Sequence, residues 1–122
     1  MDAIWLSVTT DAAGAGTVTA GRNVRPDTPR RLYAVEWVDG TFADGVDAVL
    51  SVVNTLGGAD VTLLTLTDAD NDGWYYPRTA ACDGTAGVLT HYEQPVINGD
   101  LRLVVSNGGS VTLGGAYVYL GD

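Results

Sequence analysis

The amino-acid sequence predicts an all-β fold, a single-domain antiparallel β-sandwich or jelly roll spanning residues 1–122. Short segments alternate apolar and polar residues, which is the period of a half-buried strand. Glycine- and asparagine-rich turn signals separate these segments at short spacing. No segment shows sustained helical periodicity. The chain is 46% hydrophobic over 122 residues, enough to bury one core without metal or disulfide staples.

Nine strands are predicted in chain order. Alternation is clear where Ile4, Leu6 and Val8 share one strand face, and the same period recurs further along the chain. The predicted strands are residues 4–10, 16–22, 31–39, 46–53, 61–67, 74–76, 88–93, 101–106 and 111–120. Gly114 and Gly115 lie inside the last of them and predict a β-bulge or a close approach of two backbones.

The most distinctive stretch is 61–78, VTLLTLTDADNDGWYYPR, which starts with a strand of only Val, Leu and Thr. The turn that follows carries Asp68, Asp70 and Asp72, matching the first half of an EF-hand calcium loop. The second half fails, because the twelfth position is Thr79 instead of a bidentate glutamate. We therefore favour a turn held by side-chain to backbone hydrogen bonds over a weak calcium site, and expect no cofactor.

Trp74, Tyr75 and Tyr76 follow this turn and predict either an aromatic surface or a part of the core. Alternate residues of a strand face opposite ways, so at most Trp74 and Tyr76 share a platform. Such rings beside a calcium loop would suit a carbohydrate-binding β-sandwich module. Tyrosine and tryptophan are also common in protein interfaces and in sandwich cores, so the rings alone favour no single function.

Charge is distributed unevenly along a chain whose net charge is −9 and whose six basic residues are all arginine. Residues 22–31 contain one aspartate and four arginines, Arg22, Arg25, Arg30 and Arg31, so this segment has a net charge of +3. The remainder of the chain therefore has a net charge of −12. Two prolines hold this segment extended, and we interpret it as a solvated connection or as a docking arm for an acidic partner. A net acidic chain is repelled by phosphate backbones, so we expect no nucleic-acid partner.

No catalytic set is predicted, and we expect that the protein is not an enzyme. The only histidine, His91, shares a strand face with Glu93, but a lone strand histidine is more often structural. Cys82 is alone, so it forms no intrachain disulfide. The N-terminus lacks the positive charge of a signal peptide, and no apolar run approaches the roughly 18 residues of a membrane span. We therefore expect folding in a cytoplasm and no membrane partner.

Three segments carry a resemblance to a known family: LYAVEWVDGTFADG at 32–45, the stretch 61–78, and LRLVVSNGGSVTLGGAYVYL at 101–120. Over roughly the C-terminal three quarters of its length the chain resembles small proteins encoded beside the head genes of tailed bacteriophages, and WYYPR is the most specific element. The resemblance implies a structural virion protein made in the host cytoplasm. It implies a capsid decoration or cement protein that stabilises the head by contacting the major capsid protein, and it leaves a head-tail junction protein as an alternative.

Virion lattices offer sites of threefold symmetry, which bears on the expected oligomeric state. A closed ring lets identical subunits bury equivalent patches without growing into filaments. We therefore expect a homotrimer that docks on a preformed shell through residues 22–31. The competing hypothesis from the residues themselves remains the carbohydrate-binding module.

Overall fold

The computed structural model describes residues 2–20, 30–53 and 58–121 and confirms the all-β prediction. These residues form antiparallel strands and no helix. The strands are β1 (Asp2–Thr9), β2 (Gly16–Ala20), β3 (Arg30–Val38), β4 (Asp47–Val53), β5 (Val61–Leu66), β6 (Gly73–Tyr75), β7 (Thr79–Cys82), β8 (Val88–Glu93), β9 (Val96–Ile97), β10 (Asp100–Ser106) and β11 (Leu113–Gly121). Within the described residues, no helix could cross a membrane.

Two sheets form a sandwich. Sheet I has the strand order β1-β11-β3-β6, with the short β9 also paired to β3, and sheet II has the order β2-β10-β4-β5. Strands β7 and β8 pair with each other and join neither sheet. They form a hairpin inserted in the chain between β6 and β9.

The strand order is that of a jelly roll. Without the inserted strands β7 to β9, eight strands remain, and the first pairs with the last (β1 with β11). The second pairs with the seventh (β2 with β10), the third with the sixth (β3 with β6), and the fourth with the fifth (β4 with β5). This is one long hairpin folded over on itself into two antiparallel sheets, which makes the fold a jelly-roll sandwich.

The core lies between the sheets and consists of the inward residues of the alternating strands. Ile4, Leu6 and Val8 of β1 are buried, while Trp5 between them is exposed, as the alternation predicts. On sheet II, Leu50 of β4 pairs with Leu103 of β10, and both side chains are buried. Removing such apolar surface from water is the main favourable term in folding, so the sandwich is held by these two inner faces.

Two strands were not predicted, and the last predicted strand begins two residues later than expected. The segments of β7 and β9 lack period-two alternation, and β9 is only two residues long. The last strand begins at Leu113, because Val111 has a positive φ of 51° and lies in a turn. The predicted strand 16–22 is described to Ala20, and its last two residues lie outside the described ranges.

Gly114 and Gly115 mark a close backbone approach. A Cβ at Gly115 would overlap the Leu6 carbonyl oxygen, and one at Gly114 would overlap the Phe42 ring and approach the Asp39 carbonyl oxygen. The irregularity in the β11 pairing falls elsewhere, between Tyr119 and Leu120. Both glycines are therefore required by the packing of neighbouring strands, and the bulge alternative was wrong at this position.

Candidate docking surface

The two ends of the sandwich differ in charge, since the eight sandwich strands run alternately towards one end and the other. Strands β1, β3, β5 and β10 finish at the same end, where β2, β4, β6 and β11 begin. The loops there and the first residue of β4 hold aspartates and no basic residue: Asp11, Asp39, Asp44, Asp47, Asp68, Asp70 and Asp72. We call this the acidic end.

The triple-aspartate loop is part of the acidic end, and its side chains hold neighbouring backbone. Asp70 Oδ1 accepts the Gly45 amide at 2.6 Å, and Asp72 Oδ1 accepts the Asp39 amide at 2.8 Å. Asp68 has a positive φ of 51°, a conformation that aspartate tolerates in turns. The loop therefore anchors the β3–β4 connection through carboxylate to amide hydrogen bonds.

Acidic side chains crowd together at this end. Burial raises the pKa of Asp39, and the neighbouring carboxylates of Asp72, Asp70 and Asp44 raise it further. One carboxylate oxygen of Asp39 is buried and has no hydrogen-bond partner within the described part of the chain. No group of three or more His, Cys, Asp or Glu side chains in the described ranges is arranged to hold a metal ion.

Calcium is expected to leave the melting temperature nearly unchanged. Asp70 and Asp72 already accept backbone amides. Thr79, at the twelfth loop position, lies beyond β6 and so at the other end of the sandwich, where it cannot close a calcium loop begun at Asp68. Thermal melting with millimolar calcium tests this, with magnesium as the control ion. A large, calcium-specific rise that Asp70→Ala abolishes would contradict the prediction.

The opposite end carries every arginine that the structure describes. Arg30 and Arg31 begin β3, Arg78 follows β6, and Arg102 is the third residue of β10. The acids in the described part of this end are Asp2, Asp60, Asp83, Glu93 and Asp100, so the two signs nearly balance among these residues. We call this the arginine end. Of the predicted docking residues, Arg22 and Arg25 lie outside the described residues.

The arginines at this end differ in environment. Arg30 pairs with Asp2 at 2.6 Å, and its side chain is only 13% exposed. Arg31 is exposed beside Val96 of β9. Arg78 is exposed and donates to the Pro77 carbonyl at 2.8 Å. Arg31 and Arg78 therefore present guanidinium groups to solvent, while Arg30 is mainly structural.

The β7–β8 hairpin projects from the arginine end. The residues that follow β8 are hydrogen-bonded to β3, because the Pro95 carbonyl accepts the Leu32 amide at 2.9 Å. Its tip is ordered by Asp83, whose Oδ1 accepts the amides of Thr85 at 2.9 Å and Gly87 at 2.7 Å. These hydrogen bonds lower the pKa of Asp83, that from Gly87 most. The hairpin is a defined element with a fixed base and a fixed turn.

The hairpin exposes large apolar side chains on both of its faces. All six residues of β8 are exposed, among them Val88 at 78%, Leu89 at 46% and Tyr92 at 64%. Val88 and Tyr92 lie on one face of the strand and Leu89 on the other. Several large exposed apolar side chains on one short element indicate a candidate interaction site. Sequence reasoning placed a strand here but did not identify it as a surface, since burial cannot be read from alternation alone.

The predicted aromatic cluster is divided between the two faces of sheet I. Trp74 points outward and is 50% exposed, whereas Tyr75 packs against the core. Tyr76 follows the end of β6 and is 62% exposed. The three residues therefore do not form one surface.

The outer face of sheet I carries an aromatic surface that the sequence analysis missed. Trp5 packs on Tyr117 with ring centroids 4.5 Å apart, and Trp74 stacks on Tyr119 at 5.2 Å. Glu36 lies between Tyr117 and Trp74 in the strand register, and the Tyr119 hydroxyl donates to it at 3.2 Å. Trp5 could have been found, because the burial of its neighbours Ile4 and Leu6 places it on the outer face.

The one histidine pairs with Glu93 on the hairpin. His91 Nε2 lies 3.5 Å from Glu93 Oε1, and both side chains are about two-thirds exposed. A general base acts on a substrate held beside it, and the two residues sit on an uncovered ribbon instead of in a cleft. This geometry offers no enclosed place for a reaction.

Comparison with known proteins leaves the family open: no family model and no curated protein matches the chain. The jelly roll alone does not choose a function, since this fold serves both viral capsid proteins and lectins. The function therefore depends on the surfaces of this chain. The arginine end is the surface that combines exposed charged groups with exposed apolar side chains, those of the hairpin.

Proposed function

We propose that this chain is a structural virion protein, a decoration or cement protein that stabilises the head of a tailed bacteriophage by binding the major capsid protein. The observation that carries the proposal is the polarity of the sandwich. One end is uniformly acidic, and the other combines the arginines with a projecting apolar hairpin. The jelly-roll strand order and the resemblance to head-associated phage proteins support it.

The polarity gives the protein a preferred orientation on a charged surface. An acidic shell repels the seven aspartates of the acidic end and attracts the exposed guanidinium groups of Arg31 and Arg78. Rim charges of this kind mainly set encounter rate and salt sensitivity, while buried apolar contacts set the dissociation rate. The arginine end then faces the shell, and the acidic end faces solvent.

Association into a closed ring, most simply a homotrimer, fits the same arrangement. Identical subunits around a threefold site would each turn the arginine end towards the shell and bury equivalent side patches. A head-tail junction is the alternative place for the same docking end within the particle. Imaging the protein on its native assembly separates these two positions, because a decoration protein is distributed over the head and a junction protein is confined to one vertex.

Replacing Arg22, Arg25, Arg30 and Arg31 with glutamine is expected to weaken attachment to undecorated shells and to lower the melting temperature slightly. The loss of stability comes from Arg30, whose 13% exposed side chain pairs with Asp2, whereas the exposed Arg31 contributes little. Attachment should also become less dependent on salt, because the variant removes the exposed guanidinium group of Arg31 and keeps that of Arg78. The measurement is co-sedimentation with shells over a series of salt concentrations.

The matched control changes net charge by the same amount at the acidic end. Exposed loop residues there, each replaced with glutamate, serve this purpose: Ala12, Thr67, Asn71 and Ser110. This control is expected to bind shells much more tightly than the arginine variant. If the arginine variant binds as tightly as the parent at low and high salt, the docking proposal is wrong.

A carbohydrate-binding module is the second candidate, and the aromatic surface of sheet I favours it. Sugars stack on exposed aromatic faces and donate hydroxyl hydrogen bonds to carboxylates such as Glu36. In the structure, however, Trp5 and Trp74 already stack on Tyr117 and Tyr119, which cover part of their faces. Retention on a polysaccharide column, against co-purification with capsid shells, separates the two candidates.

A further inference from the structure

The β7–β8 hairpin lacks the contacts that stabilise a two-stranded ribbon. An isolated hairpin is marginally stable in water, and it gains stability from a third strand or from packing on an apolar surface. Among the residues that the structure describes, neither strand pairs with a third strand, and β8 is exposed along its whole length. Val88, Leu89 and Tyr92 therefore present apolar surface that a partner would cover.

Charge indicates which partner fits. A surface that meets a copy of itself has to carry both signs, because like charges brought together oppose association. The arginine end meets this condition, with four arginines and five acids in its described part, whereas the acidic end holds seven aspartates and no cation. Two chains of net charge −9 that lie side by side therefore repel each other less beside the arginine end than beside the acidic end.

We propose that the hairpin, residues 79–93, packs against a second copy of this chain and is the main self-association element. The proposal rests on the self-association included in the proposed function and names the residues that produce it. Val88 and Tyr92 supply one apolar face of β8, and Leu89 supplies the other. Exposed aromatic and aliphatic side chains of this kind are the usual anchors of protein interfaces.

Charged groups around the hairpin complement the apolar contact. Glu93 at the end of β8 is exposed, as are Arg31 and Arg78 at the base of the hairpin. When copies lie side by side in a ring with their arginine ends towards the shell, Glu93 of one copy can face a guanidinium group of the next. Within the described ranges the outer edge of β8 pairs with no strand, so a strand of the second copy can extend the ribbon there.

The test compares a hairpin variant with a matched surface variant. Val88→Thr, Leu89→Thr and Tyr92→Thr together remove the apolar surface of β8 and keep β-forming residues. The control replaces three exposed apolar residues outside the hairpin in the same way: Val104→Thr, Val111→Thr and Leu113→Thr. Both proteins should keep the circular dichroism spectrum of the parent, because none of these side chains is part of the core.

Light scattering after gel filtration is expected to give the parent and the control a multiple of the 12.7 kDa chain mass, and the hairpin variant 12.7 kDa. The apparent dissociation constant of the variant should rise about tenfold or more. An environment-sensitive fluorophore on Cys82, the only cysteine and an exposed residue of β7, detects weaker association. Its emission should shift to the blue with rising concentration in the parent but not in the hairpin variant.

A parent that stays at 12.7 kDa with no concentration-dependent shift overturns the inference, as does a hairpin variant that associates as strongly as the parent. Shell binding is a separate readout. A parent that self-associates through the hairpin and yet does not bind shells would contradict the proposed function alone. A monomeric parent that binds shells would contradict the inference alone.

Discussion

Replacing Trp37 with alanine is expected to lower the free energy of unfolding by about 3–5 kcal/mol. Trp37 is fully buried at the end of β3, and its ring stacks on Phe42 with centroids 5.5 Å apart. Its Nε1 donates to the Ala69 carbonyl at 3.0 Å, so the substitution also leaves a buried acceptor unpaired. Urea denaturation followed by circular dichroism measures the change.

Trp74→Ala is the matched control, because it removes the same side chain from an exposed position. Trp74 is 50% exposed and stacks only on the outer face, so its loss should lower stability by about 1 kcal/mol. The two variants thus separate core packing from surface stacking. If Trp37→Ala were no more destabilising than Trp74→Ala, Trp37 would not be the centre of the core.

Gly115→Ala is expected to destabilise the protein by about 3 kcal/mol, although it adds a single methyl group. Gly115 lies in the middle of sheet I, where it pairs with Ser7 on one side and Val38 on the other. The added Cβ would overlap the Leu6 carbonyl oxygen, which belongs to the backbone and cannot rotate away. β1 would have to separate from β11, and thermal or urea unfolding would show the loss.

Gly84→Ala provides the comparison at the hairpin tip. A Cβ built there meets no atom within 4 Å, so the substitution should change stability by less than about 0.5 kcal/mol. A large effect at Gly84 with none at Gly115 would contradict the strand spacing of sheet I. A large effect at Gly84 would also mean that the hairpin tip makes stabilising contacts, although its residues are exposed.

The jelly-roll topology separates the acidic surface of this chain from the surface that carries its arginines. Every second connection of the sandwich returns to the same end, so residues far apart in sequence collect there. Asp11, Asp39 and Asp72 belong to three different connections and share the acidic end. Arg31 and Arg78 are brought together at the other end in the same way, beside the base of the hairpin.

Alternation predicted the strands with inward faces well, because burial on one side imposes a period of two. The segments around Leu6, Leu50 and Leu103 follow this rule and form the core. The rule gives no information on β7 and β9, which have no buried face of their own or too few residues to show a period. Such strands are defined by their pairing partners.

The aromatic residues show what local pattern leaves undecided. Trp74 and Tyr75 are adjacent and chemically alike, yet one covers the outside of sheet I and the other contacts the core. Alternation indicates that they separate but not which one is buried, since β6 is only three residues long. The contact of Trp74 with Tyr119, from a strand 45 residues later in the sequence, required the pairing of β6 and β11 with β3.

The sequence by itself determined the fold class and the position of the main strands, because these depend on side-chain periodicity. It also placed a turn at the triple-aspartate loop, but the carboxylates of Asp70 and Asp72 bind the distant β3–β4 connection, which only the tertiary structure shows. Only the tertiary structure decided the jelly-roll pairing, the two charged ends, the aromatic surface of sheet I and the uncovered β7–β8 hairpin. These features arise from contacts between distant segments, such as β1 with β11. From the sequence alone, an apolar residue of a strand can belong either to the core or to the surface. The contacts between strands decide which of these side chains are buried.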